Sequence, residues 1–323
     1  MKRRAFLTAL GVGAIALPQA ARAQQPKRMF RIIWMSTESQ PDPFVDGFRE
    51  GMLALGYIEG RDFVIELRYA HGNPDALRSA VADLVRIKPD LVVSSGPAIR
   101  AMREAKDVPV VFAISGDPIE FGVAKTLARP GANFTGSTFL SLDLAAKRVE
   151  LIKEALPPLR MLAILSNASH PGEASELEAT RQAAQSAGLS LRYVPFRGPG
   201  EIDQALASIK ALRADAMLTF PDGVTMVHRA RIAQFAGANG LPSMFGWREY
   251  CDAGGLISYG ANQRAAHVRL ATFADRVLRG EKPGDIPIEQ PSRFELVINL
   301  KTAMVLGITM PQDLLVRADV VLD

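Results

Sequence analysis

Apolar and polar positions alternate along this chain in blocks rather than singly. From residue 31 a short run that is apolar on both faces, "RIIWMS" (31–36), gives way to the helix-spaced "PFVDGFREGMLALG" (43–56). The pattern then repeats as "FVIELRYA" (63–70), helical "PDALRSAVADLVRIK" (74–88), "DLVVSS" (90–95), helical "AIRAMREAK" (98–106) and "VPVVFAI" (108–114). Buried strands separated by helices of this length predict parallel pairing through right-handed crossovers, hence a doubly wound α/β sheet. The second half repeats the scheme: "RMLAILS" (160–166), helical "EASELEATRQAAQSAG" (173–188), "LSLRYVPF" (189–196), helical "GEIDQALASIKAL" (200–212), "ADAMLTF" (214–220), helical "GVTMVHRARIAQFAGANG" (223–240) and "LPSMFG" (241–246).

The two halves align. Asp90-Leu91-Val92-Val93 corresponds to Asp215-Ala216-Met217-Leu218, and Val108-Pro109-Val110-Val111-Phe112 to Leu241-Pro242-Ser243-Met244-Phe245. Order and spacing agree over four consecutive strands, so the pattern predicts two similar α/β lobes.

Ligands of open parallel sheets bind beyond the carboxyl ends of the strands. Those ends read Ser36-Thr37-Glu38, Ser94-Ser95-Gly96-Pro97, Ser115-Gly116-Asp117, Ser166-Asn167, Pro221-Asp222-Gly223 and Gly246-Trp247-Arg248-Glu249-Tyr250. They are rich in hydroxyls, glycine and asparagine. Followed by helix starts, such corners suit a carboxylate or similar anion. The corner "ISGDPIEFG" (114–122) also fits an ordinary helix start, with Asp117 as N-cap and Pro118 in the first helical position. Of the aromatics near strand ends, Trp34 reads as core, while Phe44, Trp247 and Tyr250 are placed to stack on a ring.

Charge changes the picture only at the N-terminus. The formal net charge is +4, and Lys2, Arg3, Arg4 and Arg22 precede residue 24 with no acid among them, so the remainder is neutral. That excludes the basic stripe expected of a nucleic-acid binder. Residues 1–23 have the parts of an export signal: basic "MKRR", the apolar stretch 5–17, and the small-residue exit Ala21-Arg22-Ala23. The stretch is too short to span a bilayer, and no later run is longer. "KRRAFL" resembles the twin-arginine signature, with Sec export as the alternative. The expectation is a soluble periplasmic protein cleaved after Ala23. Gln24 stands where lipid anchoring would require cysteine, and the lone Cys251 forms no intrachain disulfide.

Catalytic motifs are missing from the sequence. The four histidines, His71, His170, His228 and His267, lie far apart without metal-ligand spacing and read as solvated. There is no nucleophile elbow, P-loop, dinucleotide fingerprint or zincin helix. Asp117 and Asp222 suffice for an acid/base pair in an exported hydrolase-like enzyme, but capping and turn roles explain both more simply. No catalytic residue, metal or cofactor is expected.

The stretches "PFVDGFREGMLALGYIEGRDFVIELRYAHGNPDAL", "GDPIEFGVAKTLARPGANFTGST", "AAKRVELIKEALP", "REYCDAGGLISYG" and "RFELVINLKTAMVLGITMP" make residues 28–323 resemble the solute-binding proteins of ABC importers, in the group that includes tryptophan and tyrosine uptake proteins. The resemblance implies a type I periplasmic-binding-protein fold. Its two lobes are joined by crossings at "FTGSTFLS" (134–141), "GLISYGAN" (255–262) and "GEKPGDIPIEQPSRFEL" (280–296), with a ligand cleft between them. It implies a first lobe of residues 28–137 plus about 258–286 and a second of 138–257 plus about 287–323, the helix "RAAHVRLATFADRVLRG" returning to the first. It further implies ligand contacts at Ser95, Gly96, Pro97, Gly116, Asp117, Thr138, Phe139, Asn167 and Asp222, to which Ser36, Phe44 and Trp247 are added from the strand ends. The expected partners are a small solute, a membrane permease and its ATPase. The expected protein is a monomer that neither spans the membrane nor binds nucleic acid. Tryptophan-type members carry an aspartate after the Gly-Ser of the first crossing, whereas this chain has Gly136-Ser137-Thr138-Phe139. The solute is accordingly an amino acid or an aromatic or branched organic acid without the ammonium. A binding protein that reports to a sensor kinase or chemoreceptor has the same signature.

Overall fold

The computed structural model describes residues 28–36, 42–71, 73–139, 142–170 and 172–323. The proposed export signal and the Thr37-Glu38 pair lie outside them. The first lobe is built from β1 (Phe30–Ser36), α1 (Pro43–Ala54), β2 (Phe63–Tyr69), α2 (Pro74–Ile87), β3 (Leu91–Ser95), β4 (Val110–Ile114) and β5 (Phe134–Thr138). Its five strands are all parallel, in the order β2-β1-β3-β4-β5.

The second lobe follows with α3 (Leu142–Ala155), β6 (Met161–Asn167), α4 (Glu173–Ser186), β7 (Ser190–Phe196), α5 (Ile202–Leu212), β8 (Ala216–Thr219), α6 (Gly223–Val227), α7 (Arg229–Ala238), β9 (Ser243–Phe245), α8 (Arg248–Asp252) and β10 (Ile257–Ala261). After α9 (Gln263–Leu278) the chain adds β11 (Phe294–Asn299), α10 (Leu300–Val305), α11 (Gln312–Arg317) and β12 (Val320–Leu322). The second sheet has seven strands, β12-β11-β10-β9-β8-β6-β7. It is parallel except where β11 returns antiparallel to β10. That pairing needs only a return in the opposite direction, which the third crossing of the chain supplies.

The internal repeat has a physical basis. Asp90, just before β3, accepts a hydrogen bond from the Arg31 backbone N–H at 2.8 Å, and Asp215, just before β8, accepts from Arg160 and Met161 N–H at 2.8 Å each. In both lobes the aspartate ties the start of one strand to the start of its neighbour. The residue two places before it, Lys88 or Arg213, sits in the left-handed region and ends the preceding helix. The prolines repeat as well: Val92 N–H donates to Pro109 O, and Met217 N–H to Pro242 O, both at 2.9 Å.

α9 packs along α1 of the first lobe. Gly51 permits the approach, since a Cβ there would lie 2.2 Å from Val268 O. The segment after α9 stays with β5: Thr135 Oγ1 donates to Ile286 O, Glu289 N–H to Gly136 O and Thr138 N–H to Glu289 O. Gly136, at φ +147, is required because a Cβ would lie 2.1 Å from Phe112 O.

Several local expectations are corrected. Residues 96–104 form a 3-10 helix, not an α-helix. The helix read over 223–240 is two, broken at His228. No helix follows Asp117. Asp117 Oδ1 instead accepts from Ile119 N–H at 2.7 Å, and Phe121 N–H donates to Asp117 O, closing a turn that runs on into irregular turns, with Gly122 N–H donating to Ile119 O and Val123 N–H to Pro118 O, and not into a helix. His267 is not solvated but buried, 1 % exposed. Tyr250 is core too, stacked on Phe245 at 4.6 Å with its hydroxyl donating to Thr225 Oγ1, so it is unavailable to a ligand ring.

Candidate functional site

Parallel pairing brings the predicted strand ends of the first lobe to one edge. Ser36 pairs with Ser95, Ser95 with Ala113, and Ile114 with Thr138. Gly96 and Pro97 open the 3-10 helix that follows β3. Thr138 Oγ1 donates to Gly116 O at 2.8 Å, so the corner after β4 is held by the strand end beside it. In the second lobe Asn167 ends β6, and its Oδ1 accepts from Ser169 N–H. Asp222 is the N-cap of α6, with Oδ1 accepting from Thr225 N–H at 2.7 Å and Thr225 Oγ1 accepting from Asp222 N–H. Asp222 Oδ2 is buried and has no partner among the described residues.

The aromatic residues meet across the lobes. Phe44 stacks on His267 with ring centres 4.5 Å apart. His267 lies 6.3 Å from Phe139 in the first crossing, and Phe139 meets Trp247 edge-on at 6.5 Å. Phe44 is set in place by Asp42, which caps α1 by accepting from Phe44 N–H and also accepts from Trp34 Nε1 at 2.8 Å. Burial raises the Asp42 carboxyl, against the hydrogen bonds from Trp34 and Phe44 that favour its ionised form. His267 Nδ1 faces Gln263 O at 2.7 Å, and burial among the rings pushes its pKa down to about 4. His267 escaped sequence reading because a lone histidine between Arg264 and Arg269 reads as part of an exposed face; only the packing of α9 on α1 turns it inward.

The 114–122 corner faces the other lobe directly. Ser115 Oγ is 3.2 Å from His170 Nε2, and the Phe121 ring stands edge-on to His170 at 6.4 Å. The Glu120 carboxylate accepts from Gly172 N–H, at the N-terminus of α4, at 2.8 Å. That helix start therefore receives an anion supplied by the protein itself, and α6 receives one from Asp222.

Behind β6 lies a charged network that sequence reasoning missed. Arg148, Glu173 and Glu176 are all buried. Arg148 donates to Glu176 Oε1 at 2.8 Å and to Tyr259 O at 2.9 Å, while Glu173 Oε1 accepts from Ser166 and Tyr193 hydroxyls. Burial, aided by the charges of Glu173 and Asp222, pushes Glu176 up to about 7 against the pull of Arg148. The one legible signal was the i, i+3 spacing of Glu173 and Glu176 in the first turn of α4, which by itself reads as ordinary dipole compensation.

Among the described residues no group of three or more His, Cys, Asp or Glu is arranged to hold a metal ion, and no helix is long and apolar enough to cross a membrane. The arrangement is one of hydrogen-bonding strand ends and aromatic faces on two lobes, suited to holding a small molecule.

The model of the family described as ABC transporter substrate binding protein matches residues 34–322. A tyrosine-binding protein of Clostridioides difficile (strain R20291) is 25 % identical over 259 residues, covering 79 % of this chain and 74 % of that protein. Among solved structures, the ABC domain from Streptococcus pneumonia in complex with L-Trp is 27 % identical with a TM-score of 0.84, over 91 % of this chain and 100 % of its own. A conserved domain protein from Vibrio cholerae O1 biovar El Tor is 26 % identical with a TM-score of 0.85, over the same shares.

Proposed function

The chain belongs to the family of ABC transporter substrate binding proteins, and we propose that it captures a small aromatic or branched amino acid or organic acid between its lobes and delivers it to a membrane permease and its ATPase. The observation that carries this reading is the aromatic group drawn from both lobes: Phe44 and His267 from one, Trp247 from the other, and Phe139 from the crossing between them. These rings touch one another and form an apolar wall against which an aromatic or branched side chain can pack. Ser36, Ser95, Gly96, Pro97, Gly116, Asp117 and Thr138 supply polar contacts from the first lobe, and Asn167 and Asp222 from the second. The tyrosine-binding relative and the L-Trp complex support an aromatic solute.

A solute touching both lobes binds tightly only when they are closed, so opening and closing about the crossings accompany capture. The protein works as a monomer in the periplasm, exported by the twin-arginine route and with its N-terminal segment removed after Ala23. N-terminal sequencing of the exported protein is expected to begin at Gln24, and export is expected to stop when Arg3 and Arg4 are both replaced by lysine. The function itself is tested by calorimetric titration with L-tryptophan, L-tyrosine, L-phenylalanine and their deaminated 2-hydroxy acids. Saturable binding of one of them, with a smaller radius of gyration in solution scattering, is the expected result. Binding of none of them sinks the aromatic-solute reading.

A further inference from the structure

The buried charges of the second lobe do not balance. Among the described residues it buries three carboxyl groups, Glu173, Glu176 and Asp222, and one guanidinium, Arg148. Arg148, on α3, pairs with one of the three: Nη1 donates to Glu176 Oε1 at 2.8 Å, while Nε is taken by Tyr259 O of β10. The other two carboxyls have neutral donors. Glu173 Oε1 accepts from the Ser166 hydroxyl at 2.9 Å and the Tyr193 hydroxyl at 2.7 Å, and Asp222 Oδ1 accepts from Thr225 N–H. Asp222 Oδ2 is sealed from solvent and has no partner among the described residues.

Three carboxylates sealed with one guanidinium leave an excess of negative charge, which a low-dielectric interior opposes unless a cation or a proton joins them. No second lysine or arginine is buried with them among the described residues. The elements around Glu176 bring Arg148 from α3, Glu173 from its own helix α4 and Asp222 from the N-cap of α6. Tyr193 of β7 lies beyond Glu173 with Arg197 outside it, and Tyr250 of α8 and Tyr259 of β10 lie beyond Arg148. His170 and the first lobe's Glu120 stand at the start of α4, where the lobes meet. Burial pushes the Glu176 carboxyl up to about 7, with the charges of Glu173 and Asp222 adding to the rise and Arg148 opposing it. A proton is therefore the counter-ion within reach near neutrality.

We propose that Glu176 is a proton site coupled to solute capture: it takes up a proton from water as the lobes close on a carboxylate-bearing solute and gives it back on release. This rests on the function proposed above, and it holds for an amino acid and an organic acid alike, since both carry the carboxylate. The coupling follows from position. Ser166, which donates to Glu173, is followed by Asn167 at the end of β6, and Asp222 caps α6, so the cluster lies directly behind two of the proposed solute contacts. Closure removes water from that surface, and the solute adds a negative charge in front of it. Each disfavours the ionised carboxyl of Glu176. Linkage is reciprocal, so a solute that favours the protonated form binds more tightly as pH falls through neutrality.

The test is calorimetric titration of the full chain with L-tryptophan and with indole-3-lactate, whose carboxylates stay ionised between pH 6 and pH 8. Whichever binds the wild type is expected to bind at least about threefold more tightly at pH 6 than at pH 8 and, at pH 7 in buffers of different ionisation heat, to draw a fraction of a proton from the buffer. Glu176→Gln keeps an oxygen for Arg148 but cannot ionise, and its affinity is expected to change less than about 1.5-fold over that range. His170 is common to both proteins, so the comparison isolates Glu176. A second readout needs no solute. The raised Glu176 carboxyl holds a proton in the folded chain that the unfolded chain releases between about pH 4.5 and 7, so its contribution to stability is present at low pH and lost as pH rises through 7. The urea midpoint of Glu176→Gln relative to wild type is therefore expected to rise from pH 5 to pH 8. Tighter binding at pH 8, equal binding at both pH values with no proton drawn from the buffer, or a midpoint difference that does not move with pH overturns the inference while the function stands. Should Glu176→Gln not fold, the buffer comparison on the wild type decides alone. Failure of every compound to bind overturns the function and the coupling together.

Discussion

The carboxylate of Glu120 accepts a hydrogen bond at 2.8 Å from the backbone N–H of Gly172, joining the turn after β4 in the first lobe to the N-terminus of α4 in the second. With the Ser115–His170 contact at 3.2 Å it would act as a latch in the opening and closing proposed above. If the lobes open as proposed, both contacts are lost on opening, and Glu120→Ala is expected to shift the ligand-free equilibrium toward the open form. Glu120 is exposed, and a hydrogen bond of this kind contributes about 0.5–1.5 kcal/mol. Solution scattering is expected to give a larger ligand-free radius of gyration, and titration an affinity lower by roughly two- to tenfold. A wild-type radius together with wild-type affinity would show that the latch does not bias closure.

His267 is held neutral by burial, with its pKa pushed down to about 4, whereas in the unfolded chain it titrates near its ordinary value. Between about pH 6.5 and 4 the unfolded state therefore binds a proton that the folded state refuses, and stability falls as pH drops. His267→Phe keeps a ring against Phe44 and removes this loss. The stability difference between variant and wild type in urea melts is expected to move in the variant's favour by on the order of 3 kcal/mol from pH 7 to pH 4. A difference that stays constant with pH would refute the assignment.

Arg148 and Glu176 are a buried pair, 3 % and 6 % exposed at their side chains. Arg148→Met leaves Glu176 without its cation and frees Tyr259 O, a change expected to cost about 3–5 kcal/mol at neutral pH. Pairing it with Glu176→Leu removes the stranded charge, and the double variant is expected to recover much of the loss. Chemical denaturation at pH 7.5 decides; equal losses in the single and double variants would show that the pair acts through shape alone.

Gly260 on β10 lies against Gly246, and a Cβ added there would be 1.8 Å from Gly246 O. Gly260→Ala therefore pushes away the segment leading to Trp247. A destabilisation of about 1–3 kcal/mol is expected, with loss of solute affinity in protein that remains folded. Thermal melting and titration of the same sample check both effects.

Trp34 and Trp247 are the two tryptophans of the chain. Trp34 is fully buried in the first-lobe core, while Trp247 sits edge-on to Phe139 at the meeting of the lobes. The fluorescence change on adding the solute identified by titration is expected to survive Trp34→Phe and to vanish in Trp247→Phe. Its persistence in Trp247→Phe would move the ring-binding site elsewhere.

The two-lobed α/β architecture was legible because burial on both faces of a strand leaves a continuous apolar run, and because the repeat preserves residues with backbone duties, such as Asp90 with Asp215 and Pro109 with Pro242. The line of strand ends from Ser36 through Ser95 to Thr138 was legible for the same reason, since parallel order sets which residues share an edge. The single turn at Asp117 was not, because an aspartate before proline caps a lone turn and a helix start with the same hydrogen bonds, and only the backbone beyond Phe121 distinguishes them.

Periodicity by itself determined the layers, the repeat and the edge that carries polar ends, because these depend on which faces of strands and helices must leave water. Tertiary structure alone decided which side chains from distant segments meet. Glu120 finds Gly172, Arg148 finds Glu176, and Phe44 finds His267. A charged or polar residue on a helix looks the same in sequence whether it faces solvent or a second lobe. Its partner, and with it its burial and charge state, is set by contacts with a separate segment, whether 28 residues away, as for Arg148 and Glu176, or in the opposite half of the chain, as for Phe44 and His267.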